Sequence, residues 1–137
     1  MERIRIDDGS KAYEIENQDG EVIGVFRFNP SDSNIVRRYE AVQKAIEEYA
    51  GKLDDDSSTE VWNAAQDELE KRVSELVGAD LSQSFFAVCG AFSPMANGKL
   101  YIENVIDVIG QIIQKETKAR MKKAQAHMDK YLKDYKK

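Results

Sequence analysis

The feature that most constrains this fold is a long C-terminal stretch in which nothing opposes a helix. From Leu100 to Tyr135 there is no proline, and Gly110 is the only glycine. One glycine inside a helix costs about 1 kcal/mol relative to alanine. Apolar residues recur there at helical spacing in two sections, Ile102, Val105, Ile109 and Ile112, then Met121, Ala124, Met128, Tyr131 and Tyr135. The sequence therefore predicts one long helix with a divided apolar stripe.

The first 28 residues carry the pattern of β-strands instead. Tyr13 and Ile15 alternate with polar neighbours, and residues 21–28 hold five large apolar side chains. Between these stretches Asp19-Gly20 ends a short polar run, which is a strong hairpin signal. Arg3-Ile4-Arg5-Ile6 also alternates, so a third strand is an open alternative. We expect an antiparallel hairpin or a three-stranded meander packed on the rest of the chain.

Two amphipathic helices are predicted next. Pro30 ends the strand region, and Ser31, Asp32 or Ser33 is the expected N-cap of the first helix. The apolar stripe of this helix is Ile35, Tyr39, Val42, Ile46, Tyr49 and Leu53, with Gly51 as its expected stop. The second helix is predicted to begin with a capping box of Ser57 and Glu60 and to end at Gly78, and its stripe is Trp62, Ala65, Leu69, Val73 and Leu76.

A short third helix is predicted over residues 81–89, and residues 90–98 form the clearest loop, with one proline and two glycines. These elements together predict a single domain, 1–137, of the helix-dominated α+β class. Its N-terminal part, 1–28, is a β-hairpin or meander, and its helical part, 31–137, contains about four helices, the last one long.

Charge is divided unevenly along the chain. Residues 115–137 hold nine basic and three acidic side chains, a net of +6, which leaves 11 basic and 22 acidic side chains, a net of −11, in residues 1–114. The basic end is either a solvated helix terminus or a segment that docks on an acidic surface of this chain, another copy or another molecule. The candidate docking cations are Lys115, Lys118, Arg120, Lys122 and Lys123.

No sequence signature of a catalytic or metal-binding site is complete in this chain. His127 is the only histidine and Cys89 the only cysteine, so neither a His–His metal pair nor a paired-thiolate zinc site can form within one chain. The acidic run 54–56 resembles the start of a calcium loop, but the required glycine and glutamate positions fall on Thr59 and Ala65. We expect no catalytic site, no metal and no cofactor.

The sequence also predicts no membrane-spanning segment and no secretion signal. The longest apolar run, residues 85–92, is far shorter than the roughly 20 residues that cross a bilayer. Five of the first eight residues are charged, and they contain no apolar core of a signal peptide. A cytoplasmic protein is predicted.

The order of the predicted elements and the residues at their junctions resemble those of a known family. Phe28-Asn29-Pro30-Ser31-Asp32 joins a short β segment to a charged helical pair; Phe85-Phe86-Ala87-Val88-Cys89-Gly90 forms a central turn, and a lysine-rich helix ends the sequence. This layout resembles the tail assembly chaperones of long-tailed, siphovirus-type bacteriophages and prophages. The resemblance implies a non-enzymatic protein in the bacterial host cytoplasm that coats the tape measure protein, keeps it soluble and recruits tail tube subunits.

Two apolar surfaces are candidates for client binding or self-association. One is the loop with Phe92 and Met95, and the other is the late stripe with Met121, Met128, Tyr131 and Tyr135. A compact domain of this size has a radius of gyration of about 14 Å, so the end of the long helix should project beyond it. Covering that end with the acidic body of another copy predicts a homo-oligomer.

The alternative function is that of a nucleic-acid-associated or regulatory protein that uses the basic helix end on phosphates. The acidic pI of about 5.0 and the lack of helix-turn-helix spacing oppose it.

Overall fold

The computed structural model describes residues 1–54 and 56–135, without the side chains of residues 50, 131, 132, 134 and 135. Its elements are β1 (Lys11–Glu16), β2 (Val22–Phe28), α1 (Ile35–Lys52), α2 (Thr59–Val77), α3 (Phe85–Val88) and α4 (Tyr101–Tyr135). The two strands form an antiparallel hairpin, and four helices follow. The predicted helix-dominated α+β class is confirmed.

The hairpin packs one face on the helices. Its register places Tyr13 opposite Phe26, and the rings of Tyr13, Phe26 and Phe28 lie with their centroids 5.3 to 5.9 Å apart. In the turn, Asn17 Oδ1 accepts hydrogen bonds from the backbone N–H groups of Asp19 and Glu21. The stacked rings bury a hydrophobic face that a two-stranded sheet needs in order to be stable.

A third strand does not form. Residues 1–10 contain no strand, and the side chains of Ile4 and Ile6 are exposed. Just before β1, Asp7 and Asp8 each accept a hydrogen bond from the backbone N–H two residues on, at 2.9 Å. These turns redirect the chain, so the meander alternative is wrong and the sheet is a hairpin.

Several helix boundaries differ from those predicted. α1 begins after Asn34, whose side chain makes no capping bond and instead accepts a hydrogen bond from Arg37 Nη2. Asp32 Oδ1 accepts from Asn34 N in the preceding turn. Gly51 does not stop α1, which continues through Lys52. Residues 81–84 form turns, not the first part of α3, since the backbone at Ser84 is not helical.

The caps of α2 are also partly corrected. Ser58, not Ser57, is its N-cap and accepts a hydrogen bond from Val61 N at 3.2 Å. Ser57 is bonded to Asp54 instead. Gly78 ends the helix in the left-handed conformation, with φ of 70°, as predicted.

The core lies where the first part of α4 crosses the other helices. Its centre is completely or almost completely buried and consists of Leu69, Val73 and Leu76 from α2, Ile35 from α1, Leu81 from the following turn, and Ile102, Val105 and Ile109 from α4. Phe26, Phe28 and Phe85 join it from the hairpin side. The early part of the long helix therefore contributes three of the most deeply buried side chains of the core.

Gly110 has a packing role in this core. A Cβ at this position would lie 2.5 Å from Tyr39 Oη, which donates a hydrogen bond to the carbonyl of Ile106 at 3.2 Å. The absence of a side chain lets the tyrosine of α1 lie directly against α4. Helix propensity is given up here for a close contact between two helices.

Among the described residues, no helix is both long enough and apolar enough to cross a membrane.

Candidate functional site

The second part of α4 leaves the domain. Every side chain from residue 121 to residue 130, named here the projecting segment, is exposed. Met121 and Met128 retain 61% and 50% of their accessible surface. They are seven residues, about two helical turns, apart and so lie on the same face, with Ala124 between them. The side chains of Tyr131 and Tyr135, predicted on this face, lie outside the described residues.

A group of contacts fixes α4 where it leaves the domain. Lys11 Nζ contacts Glu116 Oε1 at 3.0 Å, and Thr117 Oγ1 donates to the carbonyl of Pro30 at 3.2 Å. The hydrogen bond from Lys11 lowers the pKa of Glu116. We call residues 116–120 the clasp, because they tie α4 to the base of the hairpin and to the entry of α1.

Arg120 belongs to this clasp. Its Nη1 atom donates to the carbonyl of Gly9 and to Ser31 Oγ, both at 2.7 Å, and its Nε lies 3.5 Å from Glu116 Oε2. A guanidinium can make several directed hydrogen bonds at once. Arg120, predicted as a docking cation, therefore anchors the helix internally.

The four other candidate cations are exposed. Lys115, Lys118, Lys122 and Lys123 all point into solvent. At about 100° per residue, Lys118 and Lys122 border the methionine face, whereas Lys123 and Lys130 lie on the opposite side of the helix. Lys118, just before the projecting segment, and Lys122 thus lie along one border of its apolar face, and Asp129 lies on the same border.

The predicted loop surface is only partly available. Phe92 packs edge-on against Trp62, with ring centroids 5.6 Å apart, and its backbone N–H donates to Gln66 Oε1 at 3.1 Å. Glu70 Oε1 accepts from Ala91 N in the same way, and burial raises the pKa of this carboxyl. Phe92 is therefore half-buried against α2, and Met95 is the loop residue that reaches the second surface described next.

An apolar groove of about 530 Å³ lies between the hairpin, α3 and the first part of α4. Its apolar lining consists of Tyr13, Ile15, Ile23, Phe26, Phe85, Val88, Met95, Tyr101, Val105, Val108 and Ile112. Val88 and Val108 are 50% and 44% exposed, so the groove opens to solvent. The sequence did not predict this groove, because its walls come from the hairpin, α3, the loop with Met95 and α4. The one local sign of it is Val108, an exposed apolar residue of α4 that lies outside the predicted stripe.

The walls of the groove are fixed by internal contacts. Tyr101 Oη donates to the carbonyl of Phe85 at 2.6 Å, which joins α3 to the start of α4, and burial raises the pKa of Tyr101 to about 12. On the hairpin side, Gly24 lies so close to Ser84 that a Cβ would be 2.5 Å from the serine Cβ. The groove is thus largely formed before anything binds in it.

The polar border of the groove is acidic on the hairpin side. Glu14 and Glu16 lie there with Asn17 and Gln18, and Asn104 faces them from α4. Within residues 1–54 and 56–135, the structure records no ion pair for either carboxylate. The groove and the projecting segment therefore carry borders of opposite charge.

Groups typical of metal or catalytic sites are scattered. Across the part of the chain that the structure describes, no three His, Cys, Asp or Glu side chains come together in a way that could hold a metal ion. Cys89 is half-buried and His127 is exposed on the projecting segment. The two surfaces described above are the arrangement that geometry favours for binding.

Comparison of the chain with protein-family models, with curated proteins and with solved structures finds no match.

Proposed function

We propose that this protein is a non-enzymatic tail assembly chaperone of a long-tailed phage or prophage, which binds the tape measure protein in the host cytoplasm and helps tail tube subunits to assemble on it. The observation that supports this proposal best is the pair of exposed apolar surfaces to which α4 contributes, the groove and the methionine face. The client and the tail tube partner come from the family resemblance of the sequence.

The groove is suited to a helical client. An amphipathic helix binds a groove of this kind by inserting apolar side chains spaced three, four and seven residues apart. Val88, Val108 and Met95 offer aliphatic and thioether groups at its mouth. A long helical protein exposes many such segments, so a protein that covers them one by one would keep it soluble.

The methionine face is suited to varied sequences. Methionine is unbranched and polarizable, so it adapts to different partner side chains. Large exposed apolar patches on a soluble protein commonly mark interaction sites. Met121 and Met128 meet this description, and neither is needed in the core.

The alternative, binding of phosphates by the basic helix end, is supported by the exposure of Lys115, Lys118, Lys122 and Lys123. The two functions differ in their response to salt. Binding through about four cations should weaken steeply as salt rises, whereas burial of apolar surface should not.

The proposal requires a tape measure protein encoded by a long, helix-rich reading frame downstream of this gene, and the lack of such a frame would count against it. The test is co-expression of this chain with that protein. We expect the client to be recovered soluble and in complex with the full chain, and the complex to persist when NaCl is raised. Exchanging Val88 and Val108 for Asp should return the client to the insoluble fraction. The matched control exchanges Lys123 and Lys130 for Ser, which should leave client recovery unchanged.

Two results would refute the proposal. One is a client equally soluble with and without this protein. The other is a chain that binds a nucleic acid with an affinity that falls steeply with salt and leaves the client unbound.

A further inference from the structure

We infer that residues 2–6, named here the strap, fold back along the outer edge of β1 as a strand and cover the groove when no client is bound. The structure describes the open state, in which the strap is undocked and Ile4 and Ile6 are 90% and 87% exposed. The inference rests on the proposed function only for what the strap competes with, namely a client. Docking of the strap is measured without any client.

The groove opens on the edge of β1. Its lining includes the inward-facing Tyr13 and Ile15 and also the exposed Glu14 and Glu16. Because successive residues of a strand point to opposite faces, a cavity lined by all four lies beside the strand edge. This edge has no strand partner, since the sheet has two strands and no further backbone hydrogen bond to residues 11–16 is recorded across the described chain. An unpaired edge of this kind is a template for an added strand.

The groove has the length of a short strand. β1 and the first part of α4 run side by side in opposite directions, with Lys11 in contact with Glu116 at one end and Asn17 and Asn104 lining the groove at the other. From Lys11 to Asn17 the strand rises about 20 Å, and from Glu116 to Asn104 the helix rises about 18 Å. A strand of five or six residues therefore fits between these two walls.

The strap is attached at the right end of the groove. It precedes Gly9, whose carbonyl accepts a hydrogen bond from Arg120 in the clasp at 2.7 Å. Residues 7–10 then serve as a four-residue connection, a length that is common in hairpins. In the open state the turns at Asp7 and Asp8 hold the strap away. Such side-chain bonds compete with strand pairing, so closing exchanges them for pairing along β1.

The alternation of the strap fits the apolar wall. A four-residue connection pairs Ile6 with Lys11 and Ile4 with Tyr13, whose side chain faces inward. Ile4 and Ile6 then point into the groove. Docking covers these two side chains together with the exposed Val108, so apolar surface is removed from water on both sides of the contact.

Charge favours the same register. Arg3 then lies opposite Glu14 on the outward face and diagonal to Glu16, and Arg5 lies diagonal to Glu14. Opposite charges on neighbouring strands stabilise their pairing. A shift of one residue would instead turn both arginines into the apolar groove, so charge and hydrophobicity specify one arrangement.

Docking brings residue 2 close to Val108. In this register residue 2 pairs with Ile15, which lies about 13 Å beyond Lys11 along β1. Val108 lies about 12 Å before Glu116 along α4. Because Lys11 and Glu116 are in contact, Ile15 and Val108 are level with each other, and the two positions suit a cross-link.

The test is a disulfide formed in full-length protein that carries Cys89→Ser. Glu2→Cys/Val108→Cys should form an intramolecular disulfide in a glutathione redox buffer, because docking places the two thiols on the same side of the added strand. The matched control Arg3→Cys/Val108→Cys moves one thiol to the outward face and should cross-link about tenfold more slowly. Non-reducing gels and intact mass measure both rates.

Two results would overturn the inference. Equal rates for the two cysteine pairs would mean that the strap meets α4 only by random collision. Disulfides that join two molecules at submicromolar concentration, in place of the intramolecular bond, would mean that the strap docks on another copy.

Hydrogen exchange gives a second readout. Arg3→Glu should release the strap and accelerate amide exchange in β1 by about threefold, and the added Glu14→Lys should reverse this effect. The control Lys122→Glu changes the net charge equally on the projecting segment and should leave β1 unchanged. Exchange that is the same in wild type and in Arg3→Glu would contradict docking.

The cross-linked protein also tests the competition with a client. With the strap fixed in the groove by the disulfide between positions 2 and 108, binding of the tape measure protein should weaken by about tenfold or more and recover on reduction. Equal binding by the oxidised and reduced forms would show that the strap does not cover the client site. A chain that binds no client in either form refutes the proposed function, whereas the cross-linking rates still decide whether the strap docks.

Discussion

The two parts of α4 form one continuous helix, yet they are stabilised in different ways. In the first part, Ile102, Val105 and Ile109 are at most 2% exposed and belong to the hydrophobic core with residues of the hairpin, α1, α2 and α3. In the projecting segment no side chain is buried, and the interactions are local, such as the hydrogen bond from Gln125 to Asp129 one turn later. Helices gain most of their stability from tertiary packing. The first part therefore holds the fold together, and the second is free to serve binding.

The largest expected difference follows from truncating one apolar side chain in each part. Ile109→Ala should lower the free energy of unfolding by about 2–5 kcal/mol, because it leaves a cavity in the core. Met128→Ala should change it by less than about 0.5 kcal/mol. Urea denaturation of dilute, monomeric protein measures both. Similar losses in the two variants would show that the segment is packed in solution.

A smaller effect is expected at Gly110 in the packed part. Gly110→Ala gains helix propensity of about 1 kcal/mol, but the new Cβ displaces the Tyr39 hydroxyl, and we expect a net loss of about 1 kcal/mol. Tyr39→Phe removes the hydroxyl that lies 2.5 Å from the added atom. A double-mutant cycle should therefore find Gly110→Ala less harmful in the Tyr39→Phe background. Additive losses would contradict the close contact.

Alkaline pH should loosen the packed part before it affects the segment. Burial raises the pKa of Tyr101 to about 12 and also raises the pKa values of Tyr13 and Tyr39. Unfolded tyrosines lose their proton near pH 10, so stability should be intact below pH 10 and should fall as pH rises toward 12. Tyr101→Phe should lower stability at pH 7 by about 1 kcal/mol and make the alkaline decline shallower. Thermal unfolding between pH 7 and 11 measures this difference.

The smallest effect is expected at the clasp, between the two parts. The pKa of Glu116 is lowered mainly by the hydrogen bond from Lys11, so the contribution of this carboxylate is complete above pH 4.5 and is lost as pH falls below that value. Glu116→Gln should therefore lower stability slightly at neutral pH, leave it unchanged in strong acid, and so flatten the acid limb of the stability curve. Hydrogen exchange at residues 9–11 should accelerate in this variant. An unchanged acid limb would argue against the Lys11 contact in solution.

Regular elements were predictable from the sequence because their signals are local. The spacing of apolar residues in α4 and the turn at Asp19-Gly20 each depend on residues that are close together in the sequence. Both elements formed as predicted. The predicted third strand does not form, because the side chains of Asp7 and Asp8 accept hydrogen bonds from backbone N–H groups two residues on, which competes with strand pairing. α3 is shorter than predicted for a related reason, because turns around Leu81 replace its first helical turn.

The candidate site was only half accessible to sequence reasoning. The exposed methionine face follows from the spacing of Met121 and Met128 along one helix. The groove could not be predicted, because Ile15, Val88, Met95 and Val108 come together only after the hairpin packs on α4. Likewise, nothing local distinguishes Arg120 from its lysine neighbours, and only the fold brings Gly9 and Ser31 to its guanidinium.

The clasp also sets the direction in which the end of α4 points. Residue 135 lies about 22 Å beyond Arg120 along the helix axis, so a tilt of about 10° at the clasp would displace that residue by about 4 Å. The contacts that fix the angle are few: one ion pair with Lys11, one hydrogen bond with Pro30 and the bonds of Arg120. The same tilt would redirect Met121 and Met128 relative to the domain. A few polar contacts near residue 116 therefore set the direction in which the methionine face is presented.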